Sequence, residues 1–516
     1  MFTDYLDRGY RINRHGAAVT SRDGTASFTQ AELWALSHRV AEALRKRGVG
    51  PDTPVAVYSP NDAAALVCVS GIFRAGATWV ALNPRSEIEE LAELLQLVDC
   101  EFLIYHYDFA DRAAQLSERV PTIRETAEIG GDPEVEVGSW LAAPGQKAPR
   151  LPFDSGNVAA ILGTGGTTGR AKAVPITTRQ LMCMCMCFNA HLYEAQPPVF
   201  IMAPPMTHAA GLMAWPVLAE GGTVVVHDGV HADEIFDSTE RHRTSRIFLP
   251  PTAIYTLLAD PAVRAVDFSS LRHFVYAAAP MSADKLLEAI DVFGPVMAQT
   301  FGQAEAPMIC TYFSPAEHER AARDPAKRHW LSSCGRPSLG TAVEIMSEHG
   351  RLVGDGDHGE IVVRGELVMG GYHRNPEATA ETRRPGGWHG TGDIGYRDSD
   401  GFVYIVDRKR DLIISGGFNV FPSAVERVVW GHPAVLDCAV IGLPDPKWGE
   451  AVTAVVELKN GYEVEASELI GMCKAALGSV QAPKSVIFRP LPRSANGKVL
   501  KRVLRDEYWI GQARRV

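Results

Sequence analysis

Apolar residues recur at helical spacing early in the chain. Leu33, Leu36, Val40 and Leu44 fall on one face, preceded by Thr29-Gln-Ala-Glu32 and followed by Gly48. That spacing of threonine and glutamate is a capping box, in which each side chain satisfies the other's backbone N–H, so a helix is expected from Thr29 to just before Gly48. Short apolar runs at Pro54–Tyr58 and Thr78–Leu82 then read as strands, separated by the helix-like stretch Ala63–Arg74. Strand–helix–strand succession favours a largely parallel sheet covered by helices on both faces.

Four later apolar runs end alike, in small and polar residues. Val158–Leu162 leads into the loop up to Val174, Phe200–Ala203 into PPMTHAAG, His273–Ala277 into AAPMS, and Val296–Phe301 into GQAEA. Ligands of open α/β sheets bind beyond the carboxyl ends of the strands, so four such loops at one edge predict a site. After about Arg351 the texture becomes Gly-rich strand–turn–strand, with Asp398-Ser-Asp400-Gly401 as a turn signal. The charged run Asp407-Arg408-Lys409-Arg410-Asp411 ends this stretch, and enough chain follows it for a small α+β domain.

Length and composition narrow the class. A chain of 516 residues exceeds one core, so at least two domains are expected. A net charge of −10 argues against a nucleic-acid partner, which calls for a clustered basic footprint. No signal-peptide core opens the chain, and the run LMCMCMCFNA from Leu181 is about half of what a membrane span needs, so no integral membrane protein is expected. Cys183, Cys185 and Cys187 lack zinc-site spacing, and they and the six scattered cysteines read as buried thiols in a reducing cytoplasm.

The loop Leu162–Val174, LGTGGTTGRAKAV, matches neither a Walker loop nor G-x-G-x-x-G. Its chemistry still suits a polyphosphate: glycines admit close backbone N–H groups, Thr164, Thr167 and Thr168 offer hydroxyls, and Lys172 offers a charge. A flexible surface loop explains the same residues about as well. Downstream motifs break the tie.

Thr164–Lys172 resembles the phosphate-binding loop of the adenylate-forming enzymes: acyl-CoA synthetases, luciferases and peptide-synthetase adenylation domains. Phe301-Gly302-Gln303-Ala304-Glu305 is similar to that family's Y-G-x-T-E, Thr391-Gly392-Asp393 to its T-G-D, and Asp407-Arg408 begins a segment like its D-R-x-K. Pro444-Asp445 with Gly449-Glu450, and Asn496-Gly497-Lys498, resemble its C-terminal signatures. The motifs follow in order over nearly the whole chain, closest to the acyl-CoA synthetases.

The resemblance implies an α/β fold: a large N-terminal domain (1–407) with mixed and parallel sheets flanked by helices, a hinge (408–411), and a small mobile α+β domain (412–516). It implies an AMP-forming acid–thiol ligase in which a carboxylate attacks ATP to give an acyl-adenylate, and coenzyme A then displaces AMP. Thr164, Gly165, Gly166, Thr167, Thr168, Gly169 and Lys172 would hold phosphate. Glu305 would hold Mg²⁺, Ala278, Ala279 and Pro280 would face adenine, and Phe301, Gly302 and Gln303 would belong to the nucleotide site. Asp393 would take the ribose hydroxyls and Arg408 the ribose or phosphate, while Lys498 would bridge carboxylate and α-phosphate. His208 would lie beside the acyl carboxylate, Arg410 at the hinge, and Ser415, Gly416 and Gly417 on the coenzyme A side.

The pattern is also broken. Ala171 and Ala173 replace the usual proline and glycine, Phe301 replaces tyrosine, and Ala304 replaces a threonine whose hydroxyl contacts phosphate. Losing that contact costs ~1.5–3 kcal/mol, about one or two decades in rate if it is felt in the transition state. Alternatives therefore stay open: an enzyme biased to thiolation of a preformed acyl-adenylate, an acyl-adenylate-binding module, or a ligase loading a separate carrier protein. The expected substrate is an apolar carboxylic acid, and a homodimer is compatible with the chain.

Overall fold

The computed structural model describes residues 2–130, 137–164, 172–493 and 499–509. The early pattern folds as the spacing predicts. Glu32 N–H donates to Thr29 Oγ1 and Thr29 N–H to Glu32 Oε2, opening a helix over Gln30–Lys46 whose Leu33, Leu36, Val40 and Leu44 are buried. Gly48 follows in the left-handed region, φ +78°, where a residue without Cβ carries no penalty.

The strands Pro54–Tyr58 and Thr78–Leu82 belong to a six-stranded sheet. Its order is Glu125–Ile129, Phe102–His106, Pro54–Tyr58, Thr78–Leu82, Val158–Thr164, Lys172–Thr177. All neighbours are parallel except the last pair, which is antiparallel. A nine-stranded sheet holds the other three runs, as Met297–Gln303, His273–Tyr276 and Val199–Met202, all parallel, with Arg246–Leu249 between the last two. Their loops leave the same sheet edge, whereas Val158–Thr164 belongs to the six-stranded sheet, so the expectation of four runs ending at one sheet edge holds for three of them.

The large core beneath these sheets takes in the three cysteines of the helix Thr178–His191, and all nine cysteines are buried free thiols. Among the described residues no helix is long and apolar enough to cross a membrane.

Two compact units are present. One comprises residues up to 343 with 363–389 and 400–403; the other comprises 344–362, 390–399 and the chain from 404 onward. The second carries a sheet ordered Phe418–Val420, Ile413–Ser415, Gly449–Leu458, Val435–Asp445. These pairs are antiparallel, with Ser485–Phe488 added parallel to Gly449–Leu458 and the helices Pro422–Trp430 and Ala466–Gln481 packed on it. The expected fold class is borne out: a large α/β part with mixed sheets and a smaller α+β part.

Candidate active site

In the first unit, the strands on either side of the glycine-rich run, Val158–Thr164 and Lys172–Thr177, pair antiparallel, so Thr164 and Lys172 face each other. Thr164 Oγ1 donates to the Lys172 carbonyl at 3.4 Å. Gly165, Gly166, Thr167, Thr168 and Gly169, as well as Lys498, lie outside the described residues.

The Lys172 ammonium sits 4.9 Å from the centroid of the Tyr372 ring, close enough for a cation–π attraction. The Tyr372 hydroxyl donates to Glu305 Oε1 at 2.6 Å, so the tyrosine joins a strand end of one sheet to the metal-ligand candidate of the other. Burial first, and then the Glu305 carboxylate, pushes the Tyr372 phenol well above its ordinary range, keeping it a donor. Backbone bonds hold the segment in place: Met369 N–H donates to the Glu305 carbonyl at 2.8 Å and His373 N–H to that of Ala173 at 2.9 Å. Tyr372 stands in a Gly-rich run whose pattern says only strand and turn, so no local signal marks it.

Phe301, Gly302 and Gln303 end the strand Met297–Gln303. A Cβ on Gly302 would lie 2.7 Å from the Met308 backbone, a close approach that only glycine permits. The Gln303 amide nitrogen is 3.1 Å from His389 Nε2, and His389 is a second residue that the motifs did not single out. Ala278, Ala279 and Pro280 are exposed beyond the strand His273–Tyr276, with Ala278 at φ +72°. A non-glycine residue there stores backbone strain of the kind that gathers at ligand sites.

His208 precedes the helix Ala209–Ala219, and its Nδ1 is 2.9 Å from Thr207 Oγ1. Burial lowers the imidazole below its ordinary value, favouring the neutral form. The loop before it is pinned by Asn61, which accepts from Met206 N–H and donates to the carbonyls of Ala203, Pro204 and His227.

In the second unit, Asp393 is buried and pairs with Arg408, Nε to Oδ1 at 2.8 Å. Its turn is built by Thr391, whose Oγ1 accepts from Asp393 N–H and donates to the Ile361 carbonyl. Gly392, at φ +74°, donates its N–H to Glu360, which also pairs with Lys409 at 3.1 Å. Arg410 is exposed, and its carbonyl accepts from Arg505 at 3.4 Å.

Ser415 is buried beside a two-residue hairpin turn, Gly416-Gly417, in which both φ values are positive and Gly416 N–H donates to the Trp448 carbonyl. That geometry is what a tight hairpin demands and what two glycines supply.

Residues 10–373 match the model of a family described as AMP-binding enzyme, and residues 424–498 match its C-terminal domain. A medium/long-chain-fatty-acid–CoA ligase of Mycobacterium tuberculosis is 36% identical, with 98% of this chain and 90% of that protein covered. A feruloyl-CoA synthase from an Amycolatopsis species is 35% identical over 97% of this chain and 98% of its own length. Among solved structures, an amide bond synthetase from Marinactinospora thermotolerans superposes with a TM-score of 0.86 at 30% identity, covering 98% of this chain and 100% of that one.

Proposed function

The chain belongs to the AMP-binding enzyme family, and from that premise we propose that it makes acyl-CoA from an apolar carboxylic acid, ATP and coenzyme A. It is an AMP-forming acid–thiol ligase of the acyl-CoA synthetase kind. The acid is taken as apolar because the segments Met202–Trp215 and Ala277–Met308, rich in alanine, methionine and aromatic residues, follow the strands whose loops carry the candidate residues. Fatty, aromatic and polycyclic acids all fit that chemistry. The enzyme is proposed to work in the cytoplasm, on a small acid and free coenzyme A.

The observation that most supports this reading is the trio Lys172, Tyr372 and Glu305, which sets an ammonium and a carboxylate at one place, as a polyphosphate and its metal require. Glu305 fits Mg²⁺: the ion prefers hard oxygen, takes only one or two carboxylates, and fills the rest of its sphere with phosphate and water. When bound, it would neutralise phosphate charge.

Lys172, Thr164 and the loop between them hold phosphate in this reading, and Lys498 supplies the charge that stabilises the pentacovalent α-phosphate. Asp393 accepts from the ribose hydroxyls while Arg408, already paired with it, fixes its direction. Neutral His208 borders the acyl carboxylate, and Ala278, Ala279 and Pro280 offer a small-residue platform to adenine. Residues 1–407 form the adenylating domain and 412–516 a mobile one, with Ser415, Gly416 and Gly417 toward coenzyme A. Arg410 is the hinge residue, so Arg410→Pro should impair one half-reaction far more than the other; equal loss in the two would count against it.

ATP–pyrophosphate exchange across a panel of carboxylic acids tests the whole reading. Exchange is expected with an apolar acid and should fall by at least ~100-fold in Lys498→Ala, while thioester formation from supplied acyl-adenylate persists. Thioester made only from supplied acyl-adenylate would favour the thiolation-biased enzyme, and neither activity would leave a binding module.

A further inference from the structure

Lys172 and Glu305 carry opposite charges, yet no ion pair joins them among the described residues. Tyr372 lies between, offering its ring face to the ammonium at 4.9 Å and its hydroxyl to the carboxylate at 2.6 Å. A direct pair would leave each charge spent on the other before any ligand arrives. The aromatic face attracts the cation without neutralising it, and the phenol gives the carboxylate a strong donor that brings no charge.

We propose that Tyr372 is a positioning residue for the polyphosphate and its metal: its ring seats the Lys172 ammonium and its hydroxyl aims the Glu305 carboxylate. The inference rests on the reading of Lys172 as a phosphate ligand and Glu305 as a metal ligand.

Three features equip Tyr372 for this role. A lysine stem has four rotatable carbons and no intrinsic direction, so a fixed aromatic face narrows where its charge sits. Holding Glu305 Oε1 in a short bond orients the plane of the whole carboxylate, and with it the lone pairs of the other oxygen. The tyrosine itself is anchored, because its N–H donates to Thr379 Oγ1 at 2.9 Å and its neighbours Met369 and His373 bond to the backbones of Glu305 and Ala173. The segment is therefore tied to the residues it positions, so ring and hydroxyl act from one place.

Calorimetric titration of the full chain with ATP, once in EDTA and once in Mg²⁺, separates the two contacts without requiring turnover. Tyr372→Phe keeps the ring, so ATP affinity in EDTA should stay within about twofold of the wild type while the enhancement by Mg²⁺ drops ~tenfold. Tyr372→Leu should also weaken binding in EDTA by about three- to tenfold, and Lys172→Ala with Tyr372→Leu should be no worse than Lys172→Ala alone.

Full Mg²⁺ enhancement in Tyr372→Phe, or wild-type affinity in Tyr372→Leu, overturns the inference. A lowered thermal midpoint with unchanged enhancement marks a merely structural tyrosine and also overturns it. A wild-type chain that binds no ATP in either buffer overturns instead the functional reading on which it stands.

Discussion

Lys501 and Glu426 form an ion pair, Nζ to Oε1 at 2.6 Å, three residues beyond Lys498. Glu426 is buried, and the same Oε1 accepts the Val440 N–H at 2.7 Å. Lys501 begins the helix Lys501–Asp506, whose Arg505 reaches Asp411 at 3.5 Å and the Arg410 carbonyl at 3.4 Å. From sequence Lys501 looks like one more surface cation beside Arg502. In the fold it ties the segment after Lys498 to the helix Pro422–Trp430 of the second unit.

A buried charge stripped of its partner costs far more than the pair contributes. Lys501→Met should therefore raise the local opening rate seen by hydrogen exchange at the Val440 amide by ~100-fold, about 3 kcal/mol at the lower end of the range for such pairs. Adding Glu426→Gln, which removes the stranded charge and keeps an acceptor, should recover most of that protection. Unchanged exchange in Lys501→Met would show that the pair is loose in solution.

Gly302 is held against the Met308 backbone, where a Cβ would stand at 2.7 Å. The obstacle is main chain, so no rotamer change relieves it. Gly302→Ala should open the turn between Phe301 and Glu305, lowering ATP–pyrophosphate exchange at least ~tenfold and the thermal midpoint by several degrees, as ~2 kcal/mol of strain implies. Wild-type exchange in this variant would mean that the turn has slack.

Ala304 sits half-buried at the position of the threonine in the Y-G-x-T-E pattern that its motif resembles. Supplying the hydroxyl in Ala304→Thr should raise the exchange rate by ~tenfold, the yield of one charged hydrogen bond felt in the transition state. Thioester formation from supplied acyl-adenylate should not change. No gain in exchange would indicate that the remaining donors already meet the need.

His318 is buried between Tyr276 and Ser314, its Nε2 2.9 Å from the tyrosine hydroxyl and its Nδ1 2.9 Å from the serine carbonyl. Burial holds its imidazole down to about 3, against an ordinary value of 6.5. His227 and His38 are likewise held near 4, burial again being the main cause. Below 6.5 the unfolded chain takes up protons that the folded chain refuses. Stability is thus fully present above 6.5 and is lost as pH falls toward 4, with a slope approaching ~1.4 kcal/mol per pH unit for each histidine. Calorimetric midpoints between pH 7.5 and 5 should fall accordingly, and His318→Gln should flatten the slope. A midpoint independent of pH in that window would contradict the burial of neutral imidazoles.

What the sequence by itself determined is local. The capping box of Thr29 and Glu32, the strands Pro54–Tyr58 and Thr78–Leu82, and the helix Ala63–Arg74 follow from interactions spanning a few residues, and they appear with the expected bounds. The ordered motifs were likewise legible, because each is a short run whose chemistry needs no partner to be read.

Tertiary structure alone decided the rest. Nothing in LGTGGTTGRAKAV says that it returns as an antiparallel strand rather than entering a helix, since the pairing of Val158–Thr164 with Lys172–Thr177 is chosen by the sheet it completes. Tyr372 reaches Glu305 across 67 residues, and Lys501 reaches Glu426 from another part of the second unit. Asn61 bonds a loop more than a hundred residues away. Such contacts are made by chain closure, whose entropy is repaid only when whole sheets and helices pack together, so no window of neighbouring residues carries their signal.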